Sequence, residues 1–151
     1  MCYLLDMDIK ARVREVLERG HLMSLGTTDA GGVWVADVIY IFDDDLNLYW
    51  VSDPEVRHSK ALMADGRVAA TITVTNEKGL SNLGIQLSGR AAKVDGERHD
   101  LVVKHFAKRG KPAPKEGEDA FEGESWYQLT PETIDLIDEE HLGFDKKTLK
   151  L

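Results

Sequence analysis

The sequence predicts a mainly β domain with flanking helices, an α+β fold. Three observations carry that reading. A hairpin signature spans residues 33–52: Val33-Trp34-Val35-Ala36-Asp37-Val38-Ile39-Tyr40-Ile41-Phe42, then Asp43-Asp44-Asp45, then Leu46-Asn47-Leu48-Tyr49-Trp50-Val51-Ser52. Both arms are rich in β-branched and aromatic residues, and the acidic run between them is a turn. Further strand-like runs occupy 67–75, 84–94 and 125–138. Helical periodicity is confined to three short segments, at 8–19, 56–65 and 97–109.

Residues 8–19 read as a helix with Ile9, Val13, Val16 and Leu17 on one face, Asp8 as N-cap and Gly20 as the stop. Residues 21–27 follow as a strand entered at His21, and Asp29-Ala30-Gly31-Gly32 turns it into the central hairpin. The strand 33–42 is apolar on both faces apart from Asp37. It therefore expects cover on both sides: a barrel interior on one, a ligand or a second copy of the chain on the other. Asp37, if buried, needs hydrogen-bond partners. After Ser52, Asp53-Pro54-Glu55 forms a turn, and 56–65 is a short helix ending near Gly66.

The first turn of that helix holds Arg57, His58 and Lys60. Cations are unfavourable at the positive end of a helix dipole, and an anion held there by free N–H groups reverses the penalty. This points to a bound phosphate; the alternative is that Arg57 and Lys60 are solvated surface cations. Residues 67–75 are a β-branched strand and 76–83 a polar loop. In the strand 84–94, Gln86 sits mid-strand, either as a satisfied polar residue or as a contact for a ligand's polar rim. The helix 97–109 carries Leu101, Val102, His105 and Phe106 in one stripe, which makes His105 a packed core residue. Two prolines, glycines and mixed charge make 110–124 a mobile surface loop. A final strand pair, 125–130 and 133–138, is broken at Thr130-Pro131-Glu132. With no internal repeat and no linker, 1–151 reads as one domain, able to bury roughly two-thirds of its unfolded surface.

A net charge of −8 sets the chain against nucleic acid or an anionic membrane as its main partner, so any phosphate site is a local basic patch. The single cysteine, Cys2, excludes an internal disulfide, and the start of the chain lacks the basic region of a secretory signal. A cytoplasmic home is expected. No apolar run approaches the roughly 20 residues that span a bilayer, so no membrane partner is expected. Metal-ligand spacings, phosphate loops and nucleophile elbows are absent from the sequence, and no residue stands out as a catalytic acid or base.

The order of strand, acidic turn, Leu48-Tyr49-Trp50-Val51-Ser52, loop, Arg57-His58-Ser59-Lys60-Ala61-Leu62 and Gly66-Arg67-Val68-Ala69-Ala70-Thr71 resembles the pyridoxamine 5′-phosphate oxidase-like, FMN-binding split-barrel superfamily. Gly84-Ile85-Gln86-Leu87-Ser88-Gly89-Arg90-Ala91 and the step Thr130-Pro131-Glu132 resemble later segments of it, and the likeness covers nearly the whole chain. The tail His141-Leu142-Gly143-Phe144-Asp145-Lys146-Lys147 resembles the ending of a small uncharacterised bacterial branch, which has glycine where Asp145 stands.

The resemblance implies a six- to seven-stranded antiparallel split β-barrel, an FMN cofactor and a homodimer with the site across its interface. It implies that the backbone of Val38, Ile39 and Tyr40 runs beside the flavin ring, and that Val51 and Ser52 meet the phosphate arm. Arg57 and His58 match an Arg-Lys pair; with histidine in the lysine's place, Lys60 is the candidate to replace it. Gln86 is a candidate for the ring's polar edge and Trp126 for covering the ring from the partner subunit. The implied function is a flavin-dependent oxidoreductase of a small-molecule substrate, distinct from true pyridoxamine phosphate oxidases, whose further set of substrate-phosphate residues has no match here. A non-catalytic flavin carrier or sensor, a deazaflavin-dependent reductase and a plain β-barrel interaction module are the alternatives; haem is disfavoured because no histidine presents an argued axial position.

Overall fold

The computed structural model describes residues 7–151, so the readings of Cys2 and of the chain's start lie outside the described residues. Among the described residues there are four helices and eight strands. In chain order they are α1 (Ile9–Arg19), β1 (Leu22–Asp29), β2 (Gly32–Ile39), β3 (Ile41–Phe42), β4 (Leu48–Ser52), α2 (Arg57–Ala64), β5 (Arg67–Thr73), β6 (Leu83–Lys93), α3 (His99–Lys108), β7 (Ser125–Asp138), α4 (Glu139–Leu142) and β8 (Lys146–Lys150).

All ladders are antiparallel, in the order β2-β1-β5-β6-β7-β4-β3, with β8 added on β7. The two ends of this order are halves of one stretch of chain, interrupted at Tyr40. The path therefore closes into a barrel, while β2 pairs only with β1 and leaves its other edge free. That free edge is the split in the barrel. The expected single strand 33–42 is thus two, because Tyr40 turns from one ladder to the other.

Alternating residues fill the interior, among them Met23, Leu25, Trp50, Ile72, Ile85 and Leu136. Trp50 stacks on Tyr127 with ring centroids 5.9 Å apart. Helix α1 closes one end with Val13, Val16 and Leu17, and Asp8 caps it by accepting from the Ala11 amide at 3.1 Å. Buried Tyr40 donates its hydroxyl to the Leu17 carbonyl at 2.8 Å, tying the strand break to that helix. Gly20 is the stop, as expected, and is extended at φ −70°. Its requirement is room: a Cβ there would collide with the Tyr40 hydroxyl and an Ile72 methyl.

The expected break at Thr130-Pro131-Glu132 does not occur. β7 runs 14 residues without interruption, and the proline is accommodated by a register shift opposite Ser88 and Gly89. The tail forms α4 and β8, which the sequence reading left without structure. His105 is buried as expected, in edge contact with Phe121 and Trp126 beneath α3. The expected two-sided cover of β2 is not found within one chain: Val33, Trp34 and Val35 are 77%, 44% and 59% exposed. Asp37 is exposed and accepts from the Ser24 hydroxyl at 2.6 Å, so the partner that burial would have demanded is not required. No helix among the described residues is long and apolar enough to cross a membrane.

Candidate functional site

The site grows out of the junction between β4 and α2. Asp53 accepts from the Glu55 amide at 2.8 Å, an Asx turn that with Pro54 ends the strand and starts the helix. Val56 is the N-cap of α2 and brings no side-chain hydrogen bond. The first N–H groups of the helix therefore have no side chain to accept from them. Ser59, Ala61 and Leu62 face the barrel and are buried, which fixes the rotation of the helix and turns Arg57 and Lys60 outward.

Half-buried His58 folds back onto the end of β4, with Nε2 3.0 Å from Ser52 Oγ. Burial holds its pKa below the ordinary histidine value. Arg57 reaches the turn between β1 and β2, where Nε and Nη2 donate to the two carboxylate oxygens of Asp29 at 2.9 and 3.1 Å. Its guanidinium lies 4.5 Å from the Trp34 ring centroid. The hydrogen bonds from Arg57 hold the Asp29 carboxylate below its usual pKa. Lys60 stays exposed and pairs with Glu55 at 3.2 Å. Ser59 Oγ, fully buried in the first turn of α2, has no hydrogen-bond partner.

The structure thus brings Ser52 and His58 together, with Val51 half-buried beside Ser52; Arg57 and Lys60 stand in the same first turn of α2 but their side chains pair with Asp29 and Glu55. It adds Asp29 and Trp34, which the sequence reading did not nominate, because an ion pair 28 residues apart leaves no local signal. The other nominated residues make no hydrogen bond with Ser52 or His58. The Val38 and Tyr40 side chains point into the core, and Ile39 is half-buried. The Tyr40 carbonyl accepts from Lys108 Nζ at 2.5 Å, and burial lowers that ammonium's pKa to about 8.

Trp126 is paired in register with Val51 and is 9% exposed. It packs against His105 and Phe121 of its own chain, a placement that leaves little of the indole to cover a ring in another subunit. Gln86 is exposed on the outer face of β6, two strands beyond β1. The geometry offers an anion cradle at α2 beside an exposed apolar stretch of β2. It names no proton donor.

A sequence model of the pyridoxamine 5′-phosphate oxidase family matches residues 9–138. A UPF0306 protein of Enterobacter sp. (strain 638) is 25% identical over 142 residues, covering 93% of this chain and 95% of that one. The structure of General Stress Protein 26 from Bacillus anthracis superposes with a TM-score of 0.71 at 19% identity, covering 96% of this chain and all of that one. A heme binding protein from Mycobacterium smegmatis superposes with a TM-score of 0.69 at 15% identity, over 93% of this chain and 56% of that one.

Proposed function

As the chain belongs to the pyridoxamine 5′-phosphate oxidase family and lies near an uncharacterised bacterial family, we propose that it binds FMN and acts as a flavin-dependent oxidoreductase on a small molecule. One observation carries this: the first turn of α2 has no side-chain cap and holds Arg57 and His58, with His58 on the Ser52 hydroxyl. A phosphate monoester carries about −1.5 to −2 charges near neutral pH and takes this donor set, with charge-assisted hydrogen bonds from Arg57 and the helix amides. The donor set fits the group.

The residues that would hold the phosphate are Ser52, Arg57 and His58, with Lys60 close by. The exposed stretch Val33–Val35 would offer the isoalloxazine ring apolar cover. When bound, the flavin supplies hydride exchange at its N5. The chain's part is to hold the phosphate, orient the ring and exclude water. The fold is shared with a heme binding protein, and haem is the competing ligand. Flavin is favoured because the uncapped first turn of α2, with Arg57, His58 and the Ser52 hydroxyl, suits a phosphate monoester.

His58 gives this reading a pH test. In the free protein burial keeps the imidazole neutral near pH 7, whereas a phosphate within reach favours imidazolium. Binding then takes up a proton, so FMN affinity falls as pH rises through the bound-state pKa. We expect wild type to lose affinity between about pH 5.5 and 8.5 and His58→Gln to lose that dependence, after correction for the ligand's own phosphate ionisation. Parallel curves for the two proteins would place His58 outside the site.

A second copy of the chain is the proposed cover for the outer face. Val33, Trp34 and Val35 form an exposed run on β2, and β2 has a free edge. Light scattering is expected to give twice the 16.9 kDa chain mass, and Val35→Glu to shift the protein to monomer. A wild-type monomer at micromolar concentration contradicts the proposal.

A further inference from the structure

Across the outer face of the barrel runs a row of polar residues in register: Asp37 opposite Ser24, Ser24 opposite Thr71, Thr71 opposite Gln86, Gln86 opposite Asp135, and Asp135 opposite Thr148. The two carboxylates in the row are each met by a hydroxyl at 2.6 Å, Asp37 by Ser24 and Asp135 by Thr148. Gln86 is treated differently. Lys146, the first residue of β8, reaches across β7 and places Nζ 2.9 Å from Gln86 Oε1.

A lysine ammonium can only donate, so the oxygen of the amide must face it and the NH2 group must point away. An unbonded glutamine amide can turn either end outward, because its terminal torsion is broad and roughly two-fold. With Lys146 in place only one end is available. We infer that Lys146 is a positioning residue: it fixes Gln86 with its NH2 outward, so that the outer face offers hydrogen-bond donors to the carbonyl-bearing edge of a bound flavin. The inference rests on the flavin reading above and adds to it a role for the C-terminal strand. Lys146 acts through Gln86 and does not itself meet the ring. The phosphate end is served by Arg57 and the ring's polar edge by the Lys146–Gln86 pair, so the two ends of the ligand are held by different parts of the chain.

The test is a set of titrations with FMN and with riboflavin, using wild type, Lys146→Met, Lys146→Arg, Gln86→Ala and the double variant Gln86→Ala/Lys146→Met. Gln86 and Lys146 are both exposed, so circular dichroism should show every variant folded. Lys146→Met is expected to weaken both ligands about three- to tenfold, the range for one net hydrogen bond. Lys146→Arg, which still donates, should stay within about twofold of wild type. In the Gln86→Ala background Lys146→Met should cause no further loss, because the two residues act as one unit. A purely electrostatic or structural role for Lys146 would persist in that background. Such persistence, or an unchanged affinity for Lys146→Met alone, overturns this inference and leaves the flavin reading standing. Wild type that binds neither ligand overturns both.

Discussion

Replacing Arg57 by Ala is expected to weaken FMN binding about tenfold to a hundredfold, the range for a lost hydrogen bond to a charged group, and to leave riboflavin within about twofold. The separation between the two ligands is what makes the result specific. Arg57 stands at an exposed ion pair with Asp29, and such pairs contribute little to stability, so the variant should fold normally. Asp29 sharpens the test. Its carboxylate holds the guanidinium fork in the free protein and repels an incoming phosphate, so Asp29→Asn should strengthen FMN binding while leaving riboflavin unchanged. Arg57 also lies over Trp34, and a loss shared equally by FMN and riboflavin would mean that it works through that ring and not through phosphate.

The largest effect on stability is expected at Asp138. Its side chain is 1% exposed, accepts from Arg12 Nε at 2.8 Å and from His141 Nδ1 at 3.0 Å, and caps α4 through the His141 amide at 3.3 Å. One carboxylate thereby ties α1, the end of β7 and α4 together. Asp138→Ala leaves the largely buried Arg12 without this partner, and removing one member of a buried pair costs about 3–5 kcal/mol. Because Glu15 still accepts from Arg12 at 2.7 Å, a loss near the lower end, about 3 kcal/mol, is expected in urea unfolding at neutral pH.

Acid gives the same carboxylate a second signature. Burial pushes its pKa up, but the bonds from Arg12 and His141 outweigh that and hold it below the ordinary aspartate value. A depressed folded-state pKa means the contribution is complete above the unfolded value, near 3.9, and is lost as pH falls through the folded one. The gap between wild type and Asp138→Ala should therefore hold from neutral pH down to about 4 and narrow only below it. A gap that closes well above that range would assign the stability to some other group.

How far the sequence foretold these features depended on the range of the interactions. Local periodicity placed α1 and most strands, and the first turn of α2 was legible because Arg57 and His58 sit next to each other in the chain. The closing of the barrel at Tyr40 was not, since nothing in a continuous β-branched run marks where it changes partners. Thr130-Pro131-Glu132 reads as a break in the sequence, yet the register shift against β6 absorbs the proline. Asp29, Lys108 and Lys146 reach their partners across the fold, and only the sheet order shows that they can meet. Trp126 carried an expectation drawn from a resemblance, and its neighbours under α3 come from a helix and loop whose packing no local pattern encodes.

The central claim is that this chain carries FMN, and the most direct measurement is the absorption spectrum of the purified protein together with the mass of the small molecule it releases on denaturation. The account predicts a flavin spectrum, the mass of FMN, and less FMN retained by Arg57→Ala. A Soret band with the mass of haem would contradict it, as would a colourless protein that binds no added FMN.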